Sequence, residues 1–171
     1  MGRLTFLTGP TRSGKSQRAV AQAGGWGERV VFVATYRSDE RDAEMMARIN
    51  RHRAERPAWR TLEAPDDAAA SLAALSPPPS GVILDCLTLW ASARFADSDE
   101  QIEARWIEQL TAFQAAPWPT IIVSNELGWS LVPADAAARR FRDLAGTLAK
   151  HTASAADEAW LIVAGCPLKL K

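Results

Sequence analysis

Near the start of the chain, Gly9-Pro10-Thr11-Arg12-Ser13-Gly14-Lys15-Ser16 satisfies the pattern G-x-x-x-x-G-K-[ST] at every fixed position. Its surroundings are equally specific. The short apolar run Leu4–Thr8 precedes it, and a helical pattern over Ser16–Ala23 follows. Glycines in such a turn let the backbone fold with its N–H groups pointing inward, as a nest for anions. The helix that follows aims its positive end at the same place. Lys15 can bridge terminal phosphates there, and the Ser16 hydroxyl can ligate Mg2+. This arrangement demands a buried strand feeding a helix, which restricts the chain to sheets with parallel strands and crossover helices.

The remaining pattern agrees. Val30–Thr35, Val82–Leu84, Thr120–Ser124 and Ala159–Ala164 are short runs rich in Val, Ile and Leu, continuous instead of alternating. Strands buried on both faces of a parallel sheet read this way. Helical stretches lie between them: Asp39–Arg53, Asp67–Leu75, and a longer one after Ser98 with Ile102, Trp106, Leu110 and Phe113 at helical spacing. Ser98 with Gln101 three residues later forms a capping-box pattern. A last helix is expected from Pro133, with Ala138, Phe141, Ala145 and Leu148 as its buried stripe. The tail Pro167–Lys171 alternates after a turn at Gly165–Pro167 and predicts a short edge strand guarded by lysines. The expected class is α/β, a mostly parallel sheet with helices on both faces and a C-terminal edge strand. The 171 residues read as one domain, 1–171, without repeat or break.

Composition narrows the function. Lys plus Arg and Asp plus Glu both number 20, for zero formal net charge, which argues against general attraction to nucleic acid or anionic lipid. Polyphosphate binding must then come from a local site. The two cysteines, Cys86 and Cys166, form no metal spacing or disulfide framework. No apolar run approaches the ~20 residues that span a bilayer, and no leader pattern opens the chain, so the expected location is the cytoplasm.

Three further residues carry chemistry. Asp85 ends the run Gly81–Leu84 and is placed either to hold Mg2+ beside the phosphates or to cap the following turn. His52 sits among Arg48, Arg51, Arg53 and Arg56. Such cations favour the neutral, nucleophilic imidazole, although composition alone favours a solvated basic helix end. Asn125, followed by Glu126, ends another strand and either faces substrate or caps its turn. His151, in a polar stretch, reads as surface.

The ordered set of motifs resembles the bifunctional adenosylcobinamide kinase/adenosylcobinamide-phosphate guanylyltransferases. The resemblance runs through Gly9–Ser16, Val33-Ala34-Thr35, Glu44-Met45, Arg48-Ile49, His52-Arg53, Arg56-Pro57, Trp59-Arg60-Thr61 and Glu63. It continues through Leu84-Asp85-Cys86-Leu87-Thr88-Leu89-Trp90, Ser124-Asn125-Glu126, Val132-Pro133, Phe141-Arg142-Asp143, Gly146, Ala156-Asp157-Glu158 and Ala164-Gly165. It implies a RecA-like P-loop NTPase fold, a homotrimer, and two reactions. The first is phosphorylation of adenosylcobinamide by GTP or ATP. The second is transfer of GMP from GTP to adenosylcobinamide phosphate through a covalent histidine, which by position is His52. It also implies nucleotide contacts from the Gly9–Ser16 loop, Ala34, Thr35, Tyr36, Arg53, Ala54, Glu55, Arg56, Glu63 and Asp85. The resemblance leaves two readings outside it, a P-loop small-molecule kinase without guanylyl transfer and a non-enzymatic nucleotide-binding subunit. The chain departs from the family pattern at Asp42-Ala43, at the single residue Ala58 between Pro57 and Trp59, at Ser130 and at Ala149-Lys150. Ser130 replaces a usual glycine, so a positive φ there would strain the loop.

Overall fold

The structure, a computed structural model, describes residues 2–36, 47, 53 and 56–171. Each apolar run becomes a strand of one sheet: β1 (Leu4–Thr8), β2 (Val30–Ala34), β4 (Gly81–Asp85), β5 (Thr120–Val123) and β6 (Glu158–Val163). Two short strands complete it, β3 (Arg60–Glu63) and β7 (Cys166–Lys169). The order is β3-β2-β4-β5-β1-β6-β7. All neighbours are parallel except β6 and β7. β5 therefore separates β1, which leads into the phosphate loop, from β4, which carries Asp85.

Outside residues 37–55, the helices among the described residues are α1 (Lys15–Ala23), extended by a 3-10 turn at Gly24–Trp26, α2 (Ala68–Ala73), α3 (Leu87–Ser92), α4 (Asp99–Ala115) and α5 (Ala136–Ala155). Strand side chains alternate between two cores, as a period of two requires. Leu4, Phe6, Val31, Val33, Val82, Leu84 and Ile122 face α2, α3, α4 and α5. Leu7, Val30, Phe32, Ile83, Ile121 and Val123 face α1, with Trp26 and Trp59 packed alongside. Both faces are covered, as expected, and the first core is the larger among the described residues.

Several expectations shift. Pro133 does not open α5; Asp135 caps it, its carboxylate accepting from the Ala138 N–H at 2.8 Å. Ala138 is exposed, and the buried stripe is Leu144, Ala145, Leu148 and Thr152, with Phe141 half-buried edge-on to Phe95. A proline three residues upstream cannot compete with an aspartate that satisfies an orphan N–H. Asp67 likewise caps α2 instead of lying inside it. The Ser98–Gln101 capping box forms with both reciprocal bonds.

The C-terminal edge strand forms, but its turn is Ala164–Gly165, both residues with positive φ (50° and 80°), the signature of a two-residue hairpin. Its lysines do more than guard an edge. Lys171 Nζ donates to the carbonyls of Ala153, Ser154 and Ala156, capping the end of α5. Lys169 pairs with Glu158 and lies over the Trp160 ring, which Arg18 also approaches. Trp160 is thus half-buried between cations instead of deep in the core. His151 is not simply surface either: it is half-buried, with Nε2 2.6 Å from Glu103 Oε1 on α4. No helix of the described residues is long and apolar enough to cross a membrane.

Candidate active site

The phosphate loop leaves β1 at Gly9. There φ is +151°, and a Cβ would lie 2.2 Å from the Ile162 carbonyl oxygen, so only glycine fits. Arg12 (φ 60°) and Gly14 (φ 96°) curl the loop back onto itself. The β6–β7 hairpin buttresses it: the Gly165 N–H donates to the Ser13 carbonyl at 2.9 Å. On the other side, the Glu126 N–H donates to the Gly9 carbonyl at 2.8 Å. Pro10 is half-buried, Thr11 and Arg12 are exposed, and Ser13 is buried. Lys15 opens α1 and is 5% exposed, its Nζ donating to the Pro10 carbonyl (2.6 Å) and to Ser13 Oγ (3.3 Å). The ammonium is therefore held inside the loop it is expected to serve. Ser16 follows on the first turn of the helix, half-buried.

Strand register aligns the other candidates. Glu63 lies opposite Ala34, Ala34 opposite Asp85, and Asp85 opposite Val123, a single row across the carboxyl ends of β3, β2, β4 and β5. Ligands bind at this end of open α/β sheets. Tyr36, half-buried, lies two residues beyond the row. Thr35, expected to contact nucleotide, is buried, and its hydroxyl is taken by protein. It accepts from the Cys86 N–H (2.8 Å) and donates to the Cys86 carbonyl (2.7 Å).

Asn125 does not cap its own turn. Its Nδ2 donates to Thr88 Oγ1 (3.2 Å) and reaches Cys86 Sγ (3.8 Å), bracing the turn between β4 and α3. Cys86 Sγ and Thr88 Oγ1 are 3.1 Å apart. Ser130 has no positive φ, and its hydroxyl donates to the Leu127 carbonyl at 3.2 Å, so the expected strain is absent. Residues 86 and 88 were missed as site-builders. Polar side chains just past a continuous buried strand were the available signal.

Arg53 reaches this row, and Arg56 sits on the Phe32–Thr61 pair two residues before it. The Arg53 guanidinium pairs with Glu63. Arg56 stacks its guanidinium 3.9 Å from the Phe32 ring centroid and donates to Thr61 Oγ1 at 3.0 Å. Burial, then the nearby Arg53, lower the Arg56 pKa, while Asp85 and Glu63 oppose the shift. Two arginines, Glu63 and Asp85 thus share one electrostatic neighbourhood beside the loop. His52, Ala54 and Glu55, with most of the helix expected over Asp39–Arg53, lie outside the described residues. Among the described residues, no three His, Cys, Asp or Glu side chains group as a metal cage.

The two cysteines differ in exposure, and opposite responses to thiol reagents are expected from them. Burial, then the charge of Asp85, push the Cys86 thiol up to about 11, only partly offset by Thr88, a backbone N–H and Lys15. Cys166 is exposed. Native protein at pH 8 is expected to take up one equivalent of iodoacetamide, at Cys166, and a second after denaturation. The raised Cys86 pKa contributes stability that is complete below about 9, its ordinary value, and is lost as pH rises toward about 11. Two fast-reacting thiols in the native protein would contradict this burial.

The chain matches the model of the CobU family, cobinamide kinase / cobinamide phosphate guanyltransferase, over residues 5–170. It is 36% identical to the bifunctional adenosylcobalamin biosynthesis protein CobU of Salmonella typhimurium, over 98% of this chain and 99% of that one. It is 34% identical to the protein of the same name from Escherichia coli, with the same coverage. It is also 37% identical to the bifunctional adenosylcobalamin biosynthesis protein CobP of Pseudomonas aeruginosa, over 97% of this chain and 96% of that one. The family match and these relatives cover nearly the full length of the chain, phosphate loop and C-terminal hairpin included, and the chain belongs to the cobinamide kinase / cobinamide phosphate guanyltransferase family.

Proposed function

We propose that this enzyme first phosphorylates the aminopropanol hydroxyl of adenosylcobinamide, with GTP or ATP as donor. It then transfers GMP from GTP to adenosylcobinamide phosphate through His52, giving adenosylcobinamide-GDP and pyrophosphate. One observation carries this reading. Arg53 and Arg56, which follow His52 in the sequence, lie at the carboxyl end of the sheet: Arg53 pairs with Glu63 of the row, and Arg56 lies on Phe32 and Thr61, two residues before it along β2 and β3.

In the kinase step the loop N–H groups and Lys15 hold the donor phosphates while the hydroxyl attacks the γ-phosphorus, forming the new O–P bond as the bond to the β-phosphate oxygen breaks, with the nucleoside diphosphate leaving and the hydroxyl proton passing to solvent. In the transfer step the imidazole of His52 attacks the α-phosphorus of GTP, forming the P–N bond as the bond to pyrophosphate breaks. The phosphate oxygen of the corrinoid then displaces the imidazole. The neighbouring arginines favour neutral His52 and balance the departing pyrophosphate. The hydroxyl of Ser16 and the carboxylate of Asp85 are hard oxygen donors, and they suit Mg2+, which prefers a few protein oxygens beside phosphates over a full protein cage. When bound, Mg2+ would supply charge neutralisation on the phosphates.

The working form is a homotrimer in the cytoplasm. Val163, Leu168 and Leu170 leave an exposed apolar strip along the β6–β7 hairpin, which supports assembly. Light scattering should return three times the 18.6 kDa chain mass.

Incubation with α-labelled GTP and Mg2+ should leave acid-labile label on His52 after denaturation. His52→Ala should keep cobinamide phosphorylation and lose GMP transfer below detection. Active transferase without label would remove the covalent step. Phosphorylation without any transfer would reduce the enzyme to a kinase.

A further inference from the structure

Asp85 is the last residue of β4, where strand pairing stops and the chain turns into α3. A carboxylate at such a point is only as fixed as the backbone around it. Here that backbone is held by one residue from the neighbouring strand. The Thr35 N–H donates to the Asp85 carbonyl at 3.2 Å. The Thr35 hydroxyl accepts from the Cys86 N–H at 2.8 Å and donates to the Cys86 carbonyl at 2.7 Å. Register makes the meeting: Ala34 lies opposite Asp85, so Thr35 and Cys86 leave the sheet side by side. From the other side of β4, Asn125 reaches Thr88 and the Cys86 thiol.

The same bonds separate Thr35 from a phosphate contact. The residue is 4% exposed, and its one hydroxyl proton is committed to the Cys86 carbonyl. Its backbone N–H is committed to Asp85. A phosphate oxygen accepts hydrogen bonds, and Thr35 has no donor left to offer one. What Thr35 does control is Asp85, half-buried at the carboxyl end of the sheet. Removing a residue that holds a metal ligand in place typically costs about 10- to 100-fold in metal affinity.

We propose that Thr35 is a positioning residue for Asp85: its clamp on the Asp85 and Cys86 backbone aims the carboxylate at the divalent cation beside the nucleotide phosphates. The assignment rests on the reading of Asp85 as a Mg2+ ligand given above. It moves Thr35 from the nucleotide contacts that the family resemblance implies to the support of the metal. Metal affinity then depends on a hydroxyl that touches neither cation nor nucleotide.

Binding of Mn2+ to the protein–GDP complex, read from the paramagnetic resonance of free Mn2+ and without any corrinoid, tests this. Thr35→Val keeps the side-chain shape and loses both hydroxyl bonds. Thr35→Ala leaves room for a water on Cys86 and serves where Thr35→Val does not fold. Both should raise the Kd for Mn2+ by about tenfold or more, and Thr35→Ser should stay within about threefold of wild type. The Kd for GDP without metal should stay within about twofold in all three variants. Asp85→Asn should weaken Mn2+ at least as much as Thr35→Ala. Unchanged Mn2+ affinity in Thr35→Val and Thr35→Ala, with Asp85→Asn weakened, overturns this inference alone. Thr35→Ser as weak as Thr35→Ala overturns it, because the hydroxyl is then not the agent. Equal losses for Mn2+ and for metal-free GDP overturn it in favour of a nucleotide contact or a general structural role. Unchanged Mn2+ affinity in Asp85→Asn overturns the metal-ligand reading, and this inference with it.

Discussion

Lys15→Ala should lower kcat/KM for both cobinamide phosphorylation and GMP transfer by roughly 10²- to 10³-fold, as losing one preorganised charge at a phosphoryl centre does. The side chain is 5% exposed, and its ammonium is already fixed by Pro10 and Ser13. No reorganisation is then needed when phosphates arrive. Lys15→Arg should rescue little, because a planar guanidinium cannot occupy the space of a compact ammonium inside so tight a loop. The thermal midpoint of Lys15→Ala should hold or rise, since a desolvated cation has been removed. Lost activity with a retained midpoint marks a phosphate ligand. Activity within about threefold of wild type would show that the loop does not hold the reacting phosphates.

The largest effect on stability is expected from Trp106→Ala. Trp106 is fully buried between α4 and α5, its ring centroid 4.8 Å from that of Trp90. Its indole N–H donates to Thr152 Oγ1 at 2.8 Å, and Thr152 donates onward to the Leu148 carbonyl at 2.7 Å. Truncation leaves a cavity too large for neighbouring side chains to fill and costs about 3–5 kcal/mol. For a chain of this size that lowers the midpoint by roughly 6–20 °C. Trp106→Phe should recover part of the loss, keeping ring contact but not the hydrogen bond. KM for GTP, measured well below the midpoint, should not move, because Trp106 packs in the helical layer away from the carboxyl-end row. A fall of less than about 2 °C in Trp106→Ala would mean that α4 and α5 do not depend on this contact.

Net neutrality is consistent with both effects because charge is sorted in space. Asp97, Asp99 and Glu103 are used locally, on Arg105, Arg140 and His151. Lys15, Arg53 and Arg56 stand by the carboxyl end of the sheet.

Most strands that were legible, β1, β2, β4 and β5, are buried on both faces, which a short continuous run of Val, Ile and Leu requires; β6 was legible from the same kind of run although it is only partly buried. The phosphate loop was legible because its glycine and lysine positions are set by backbone conformation within a few consecutive residues. β3 was not legible. Arg60–Glu63 is a four-residue edge strand with charged ends, and its identity comes from pairing with β2. The start of α5 was misread because proline and aspartate both favour helix N-termini, and only the Asp135–Ala138 hydrogen bond decides between them.

The amino-acid sequence by itself determined the class of sheet, the position of the phosphate loop and the zero formal net charge. These depend on local backbone geometry, periodicity and summed charge. Only the tertiary structure decided that Glu63, Ala34 and Asp85 form one row, and that Thr35 and Asn125 brace Cys86 and Thr88. Each of these joins residues far apart in the chain. Such meetings depend on strand order and register, which no short window of sequence encodes.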